Sequence, residues 1–141
     1  MPEVWIGVDF GTRYVGVAVG EVSTGLPMPV KTLGAKPEPA LLNALSKLAR
    51  EQGAIGFVVG LPVNMNGSEG PAAVACRAFA QRLAGHTGLP AELEDERLSS
   101  WEAEGLLIEG GLTPSERKDR VHAVAASLVL KAFFDRRKPA P

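Results

Sequence analysis

The stretch that decides the fold is VWIGVDFGTRYVGVAV, residues 4–19. One apolar run ends at Asp9, a short glycine-containing link follows, and a second apolar run begins at Tyr14. Two such runs predict strands over 4–10 and 14–20 that are joined as a hairpin. A carboxylate is costly to bury without a partner. Asp9, at the end of the first strand, is therefore the first candidate for a functional group, and metal binding is the commonest task of such a group.

The rest of the chain predicts a third strand and then alternating helices and strands. The segment 26–33 is interrupted by proline, which favours an edge strand. The run 54–60 is apolar throughout, which is typical of a strand buried on both faces. Because strands 54–60 and 89–95 alternate with helices, we expect them to run parallel to the first strand. The predicted fold class is α/β, a five-stranded mixed sheet with helices on both faces. Four helices are predicted. The first contains Leu41–Leu48, the second runs from Pro71 to about Gly85, and the third and fourth begin at Ser99 and Thr113.

Length and composition limit the classes of protein that fit. The 141 residues, 45% of them hydrophobic and 22% charged, suit one folded domain over 1–141. A net charge of −1 excludes a strongly basic nucleic-acid coat, so contacts with a polyanion must come from local patches. Cys76 is the only cysteine, which excludes an internal disulfide. With no signal-like start and no apolar run of ~20 residues, we expect a cytoplasmic protein without a membrane partner.

Acidic and imidazole side chains stand where parallel α/β proteins gather their sites. Asp9 ends the first strand, Asp95 and Glu96 end the last one, and Asp119 and His122 lie three apart on the final helix. Because side chains alternate along a strand, only one of Asp95 and Glu96 can face the site, and Glu96 is favoured. Clustered oxygen ligands with one imidazole suit Mg²⁺ or Mn²⁺. Two such ions stabilise the attacking and leaving oxygens of phosphodiester cleavage.

Basic residues near these acids are candidates for phosphate contacts. Arg13 is the best of them, because it lies in the link directly after Asp9. The alternative is an ordinary solvated surface. The candidate nucleic-acid-binding residues are Arg13, Arg97, Lys118 and Arg120.

Four blocks of sequence together resemble the YqgF/RuvX family, which lies within the RNase H-like nucleases that include the RuvC junction resolvases. They cover the chain from end to end, and the first and third are specific in combination. The blocks are GVDFGTRYVGVAVG (7–20), VGLPVNMNG (59–67), DERLSS (95–100) and KDRVHA (118–123).

The resemblance implies an RNase H-like fold and a metal-dependent endonuclease. It implies maturation of the 5′ end of pre-16S ribosomal RNA, within ribosome biogenesis, or resolution of Holliday junctions in branched DNA. Asp9 and Glu96 match the first two catalytic acids, and Asp119 matches another acidic position of RuvC-type enzymes. His122 stands where an aspartate is expected, which could favour Mn²⁺ or weaken the activity. A cut on both arms of a junction would need a homodimer.

Two other functions remain open at this point. An aspartate followed by Gly-Thr after a first strand also marks a phosphate loop of the actin and sugar-kinase superfold, but those proteins need two such domains. A non-catalytic nucleic-acid-binding module is the other alternative, because His122 replaces an acid. Metal-dependent cleavage separates the nuclease from the binding module, and nucleotide binding would support the kinase-like alternative.

Overall fold

In the computed structural model of the chain, the described residues are 2–64, 66–96, 111 and 113–137, and for 114–119 the description covers the backbone alone. No helix within these ranges is long and apolar enough to cross a lipid bilayer. The elements are β1 (Val4–Phe10), β2 (Tyr14–Glu21), β3 (Met28–Gly34), α1 (Glu38–Gln52), β4 (Ala54–Leu61), α2 (Pro71–Thr87), β5 (Ala91–Asp95) and α3 (Pro114–Arg137).

The strands form one mixed sheet of five strands in the order β3-β2-β1-β4-β5. β1, β2 and β3 make an antiparallel meander, whereas β4 runs parallel to β1 and β5 runs parallel to β4. The predicted mixed sheet, its parallel half and the edge position of β3 are therefore confirmed.

The two faces of the sheet carry different cores because side chains alternate along each strand. One face packs against α1 and α2 and is wholly aliphatic and aromatic at its centre, around Val8, Val17 and Phe57. The other face packs against α3, where Trp5 and Val58 meet Phe133. Helices thus cover both faces, as the alternation of strands and helices predicted.

α3 lies unusually close to the sheet because glycines face it. A Cβ on Gly7 would come within 2.7 Å of the Ala126 carbonyl oxygen. A Cβ on Gly16 would overlap the carbonyl group of His122. Side chains at these two positions would hold the helix away from β1 and β2. The glycines therefore set the distance between α3 and the sheet.

The last turn of α3 contacts the sheet. Arg136 Nη2 lies 2.6 Å from the Glu94 carboxylate, which is only 8% exposed. The guanidinium of Arg137 lies 4.4 Å from the centre of the Phe133 ring and 5.3 Å from the centre of the Trp5 ring. A buried carboxylate with a hydrogen-bonded partner, and cations over aromatic faces, fix the last turn of the helix.

Several sequence-based boundaries need correction. α2 continues to Thr87 and ends at Gly88 in the left-handed conformation (φ 74°), beyond the predicted stop near Gly85. Within α2 the apolar Val74 is 60% exposed, whereas its neighbour Ala73 is buried. β3 begins at Met28, two residues later than predicted. The helix predicted to start at Ser99 lies outside the described residues.

We expect Gly16→Ala to lower the free energy of unfolding by about 2 kcal/mol or more, because the new methyl group meets helix backbone that cannot move aside alone. Gly85→Ala is the matched control: it lies within α2 with nothing within 4 Å of its Cβ position, and should stabilise by about 0.5–1 kcal/mol. Urea unfolding measures both. Equal stability of the two variants would show that the glycines do not set the seating of α3.

Candidate functional site

Asp9 lies at the carboxyl end of β1 on the face covered by α3. Its partner in the antiparallel register is Gly16, which removes a side chain from its immediate neighbourhood. Asp9 is only 7% exposed. A carboxylate this buried, on a strand that is otherwise apolar, needs a compensating group.

His122 supplies one neighbour. The close seating of α3 over Gly16 brings the imidazole to Asp9, with Nδ1 3.4 Å from Oδ2 of the carboxylate. The side chain of His122 is 32% exposed, so one part of the ring faces Asp9 while another reaches solvent. The ring of Tyr14, the first residue of β2, lies beside it at 5.7 Å between ring centres.

Glu96 reaches Asp9 although β4 lies between their strands. It follows β5 directly, and its backbone N–H donates a hydrogen bond to the Leu61 carbonyl at 3.1 Å. A Cβ on Gly60 would lie 2.5 Å from Oε2 of Glu96. The carboxyl group of Glu96 therefore occupies the space that a side chain at this position of β4 would fill. Asp95 is exposed. The alternation of the strand therefore turns Glu96, and not Asp95, toward Asp9.

Burial and charge act together on Glu96. Burial first, and then the carboxylate of Asp9 within hydrogen-bonding reach, raise its pKa to about 9, with a smaller contribution from Asp95. Its Oε2 atom is buried and has no hydrogen-bond partner among the described residues. Behind the site, burial raises the pKa of the Cys76 thiol to about 12, and the charges of Glu96 and Asp9 contribute. The pocket thus holds two acids that cannot both be charged cheaply without a cation.

The donor set fits a divalent metal ion. Two carboxyl groups in contact, one with an unpartnered buried oxygen, offer the hard ligands that Mg²⁺ and Mn²⁺ take, and His122 adds an imidazole. In the described part of the chain, no three acidic, histidine or cysteine side chains come close enough together to form a complete metal cage. Mg²⁺ is usually held by one or two carboxylates, with water and substrate phosphates as its other ligands.

The remaining predicted site residues are placed less fully. Arg13 is exposed in the link between β1 and β2, and its carbonyl accepts a hydrogen bond from Ala35. Arg120 is exposed on α3, two residues before His122. Lys118 and Asp119 belong to the same helix, and the structure describes only their backbone. Arg97 lies outside the described residues.

Sequence reasoning missed the residues that leave room for the site. Gly16 and Gly60 carry no chemistry, yet they admit the backbone of His122 and the carboxyl of Glu96. The signal was present as glycines inside otherwise apolar strands, a pattern that indicates close approach of another group. Tyr14 was also missed as a neighbour of His122.

The sequence of the chain is similar to a protein family and to named relatives. The family described as "RuvX: Holliday junction resolvase" matches residues 3–136. A protein of Anaeromyxobacter sp. (strain K), named "Putative pre-16S rRNA nuclease", is 42% identical over 134 residues, which are 95% of this chain and 98% of that protein. A protein of Rhodobacter capsulatus with the same name is 42% identical over 130 residues, 92% of this chain and 82% of that protein.

Comparisons of structure agree on the fold. RuvC of T. thermophilus in complex with a Holliday junction substrate superimposes with a TM-score of 0.60 at 15% identity, over 95% of each chain. The fowlpox virus Holliday junction resolvase gives a TM-score of 0.56 at 7% identity, over 94% of this chain and 99% of that one. The RNase H-like fold is therefore confirmed, and by its sequence over nearly its whole length this chain belongs to the RuvX family.

Proposed function

We propose that this protein is a metal-dependent endonuclease that hydrolyses phosphodiester bonds in structured nucleic acid, with the 5′ end of pre-16S ribosomal RNA as its substrate. The names of the relatives from Anaeromyxobacter and Rhodobacter support the substrate, because the similarity spans nearly the whole of this chain. Work on ribosomal RNA would be carried out in the cytoplasm by a single domain over residues 1–141.

The observation that carries the proposal is the contact between the carboxyl groups of Asp9 and Glu96. Burial and mutual repulsion raise the pKa of Glu96 to about 9. Near neutral pH the carboxyl group of Glu96 therefore keeps its proton, which it shares in a hydrogen bond with Asp9. A divalent cation neutralises the same two groups and leaves both as ligands. A structural ion pair would instead place a basic side chain there, and the described residues offer only His122 beside Asp9.

Each residue then has a defined task. Asp9 and Glu96 would hold the metal, which supplies positive charge for activating water and for stabilising the phosphate oxygens during in-line displacement. His122 would orient Asp9 or serve as a further ligand, and its exposed side could donate a proton to the leaving oxygen. Asp119, one turn earlier on α3, would complete the acidic set. Arg13, Arg97, Lys118 and Arg120 would contact the phosphates of the strand.

A second substrate is favoured by one observation. The family description names Holliday junctions, and the superposition includes a RuvC bound to one. Branched DNA would be cut by the same chemistry. Paired cuts would require a homodimer, so the oligomeric state and the substrate can be tested together.

We expect Asp9→Asn to abolish cleavage while the fold is retained. Losing a metal ligand should lower the rate at least about a thousandfold, because charge stabilisation by a metal amounts to several kcal/mol. The assay uses labelled pre-16S RNA fragments, single strands and a four-way junction with Mg²⁺, Mn²⁺ or EDTA. The substrate that is cut best separates RNA processing from junction resolution.

Asp135→Asn is the control for this substitution, since Asp135 is an exposed partner of Lys131 on α3 at 3.4 Å. It should cut like the unaltered protein. Normal cleavage by Asp9→Asn would remove Asp9 from the mechanism. Binding without cleavage in any metal would favour a non-catalytic nucleic-acid-binding protein.

In EDTA, we expect the free energy of unfolding to fall as pH rises from about 4.5 to about 9. Over that window the unfolded chain has lost the Glu96 proton while the folded chain keeps it, so the unfolded state binds fewer protons and stability decreases. The slope from one such group is at most about 1.4 kcal/mol per pH unit. Glu96→Gln should remove this slope, and urea unfolding at pH 5, 7 and 9 measures it.

Glu51→Gln, an exposed change on α1, is the matched control and should leave the slope intact. Mg²⁺ or Mn²⁺ should stabilise the unaltered protein more at pH 8 than at pH 5, because the metal must displace the shared proton. Parallel pH profiles for the unaltered protein and Glu96→Gln would contradict the shared-proton arrangement.

We expect His122→Asp to raise the activity with Mg²⁺ relative to that with Mn²⁺. An added carboxylate supplies the oxygen ligand that Mg²⁺ prefers, whereas imidazole gives a relative advantage to transition metals. The ratio of initial rates in the two metals measures the effect. An unchanged ratio would place His122 outside the metal's ligands.

A further inference from the structure

A cleft adjoins the candidate site between the edge strand β3 and α3. Its volume is about 380 Å³, within the ~300–1,000 Å³ typical of ligand pockets. It begins next to the site, because Thr32 pairs in register with Gly16, the residue beneath the His122 carbonyl. Residues lining the cleft are Pro29, Val30, Lys31, Thr32, Arg120, Ala123 and Val124.

The lining of the cleft includes two basic residues, Lys31 of β3 and Arg120 of α3. Among the residues whose side chains the structure describes, no acidic one lines it. Within the described part of the chain, neither cation forms an ion pair. In a chain with net charge −1, two basic residues without a described ionic partner, at one cleft, indicate a local site for an anion.

Tyr14 lies at the edge of the candidate site, beside His122. It is 45% exposed, and His122 lies beside its ring at an interplanar angle of 35°. In the ladder Tyr14 pairs with Gly34, one step along β3 on the same face as Thr32, so no side chain on the neighbouring strand covers it. An aromatic ring held by one neighbour and open to solvent is the usual platform for stacking a nucleobase.

We propose that Tyr14 and the cleft bind an unpaired strand of the substrate on one side of the phosphate that is cut. Tyr14 stacks on a base next to that phosphate, and Lys31 and Arg120 contact the phosphates that follow. The inference rests on the proposed nuclease function and narrows its substrate to one with a single-stranded segment beside the cut. A duplex fits less well, because paired bases hide their faces within the stack.

The test uses the fact that Tyr14 is the only tyrosine in the chain. Protein labelled with 3-fluorotyrosine has a single ¹⁹F resonance, which is followed in EDTA during titration with a single-stranded oligonucleotide and with the matching duplex. We expect the single strand to shift the resonance and an abasic strand to shift it less. A resonance unmoved by any oligonucleotide would overturn the proposal, as would one moved only by protein concentration, which would indicate contact between two copies.

Affinities of variants provide a second measurement. Tyr14→Ala should weaken binding of the single strand at least about fivefold, and Tyr14→Phe should not, because stacking needs the ring and not the hydroxyl. Lys31→Ala and Arg120→Ala should each reduce the slope of log affinity against log salt by about 0.7. Lys47→Ala, an exposed lysine on α1 at the opposite face of the sheet, should leave the slope unchanged.

The two proposals fail in different ways. Cleavage that survives Asp9→Asn would refute the catalytic assignment and leave the ¹⁹F shift and the binding data untouched. Equal affinity of Tyr14→Ala and the unaltered protein for single strands would refute the subsite, even if cleavage is metal-dependent.

Discussion

The close approach of α3 to the sheet is the constraint on which the rest of the structure depends. It is possible only because Gly7 and Gly16 present no side chains to the helix. The approach buries Phe133 against Trp5 at one end and brings the ring of His122 to Asp9 at the other. Stability and site geometry are therefore coupled, since a change that lifts the helix loosens the aromatic packing and separates the imidazole from the carboxylate.

The second organising interaction is repulsive. Asp9 and Glu96 come from strands separated by β4, and the missing side chain of Gly60 allows them to meet. Burying two like charges costs free energy, which shows in the pKa of Glu96, raised to about 9. Because a proton or a cation relieves this cost, the repulsion between the acids would favour binding of the metal proposed above. A pocket filled by an apolar pair would be more stable and would bind no metal.

The two sides of the site differ in polarity. On the side of β3 it adjoins a cleft lined by Lys31 and Arg120, and the exposed ring of Tyr14 lies beside His122. On the other face of the sheet lie Cys76 and the apolar core. In the binding mode proposed above, a strand of nucleic acid would extend from the acids toward Lys31 and Arg120. Because the net charge is only −1, any contact with a polyanion depends on local basic residues such as these.

The sequence by itself determined the elements, the mixed sheet and the place of Asp9, because apolar periodicity and the ends of strands are local properties of the chain. It also favoured Glu96 over Asp95, since alternation along β5 is local too, and in the structure Glu96 lies beside Asp9 while Asp95 is exposed. It did not predict the extension of α2 to Thr87 or the exposure of Val74. The end of a helix and the exposure of its side chains depend on which other elements pack against it. Only the tertiary structure decided that Gly16 admits the backbone of α3, that Gly60 admits a carboxyl from β5, and that Tyr14 lies beside His122. Each of these depends on the distance between elements far apart in the chain, and that distance is set by how the two faces of the sheet pack.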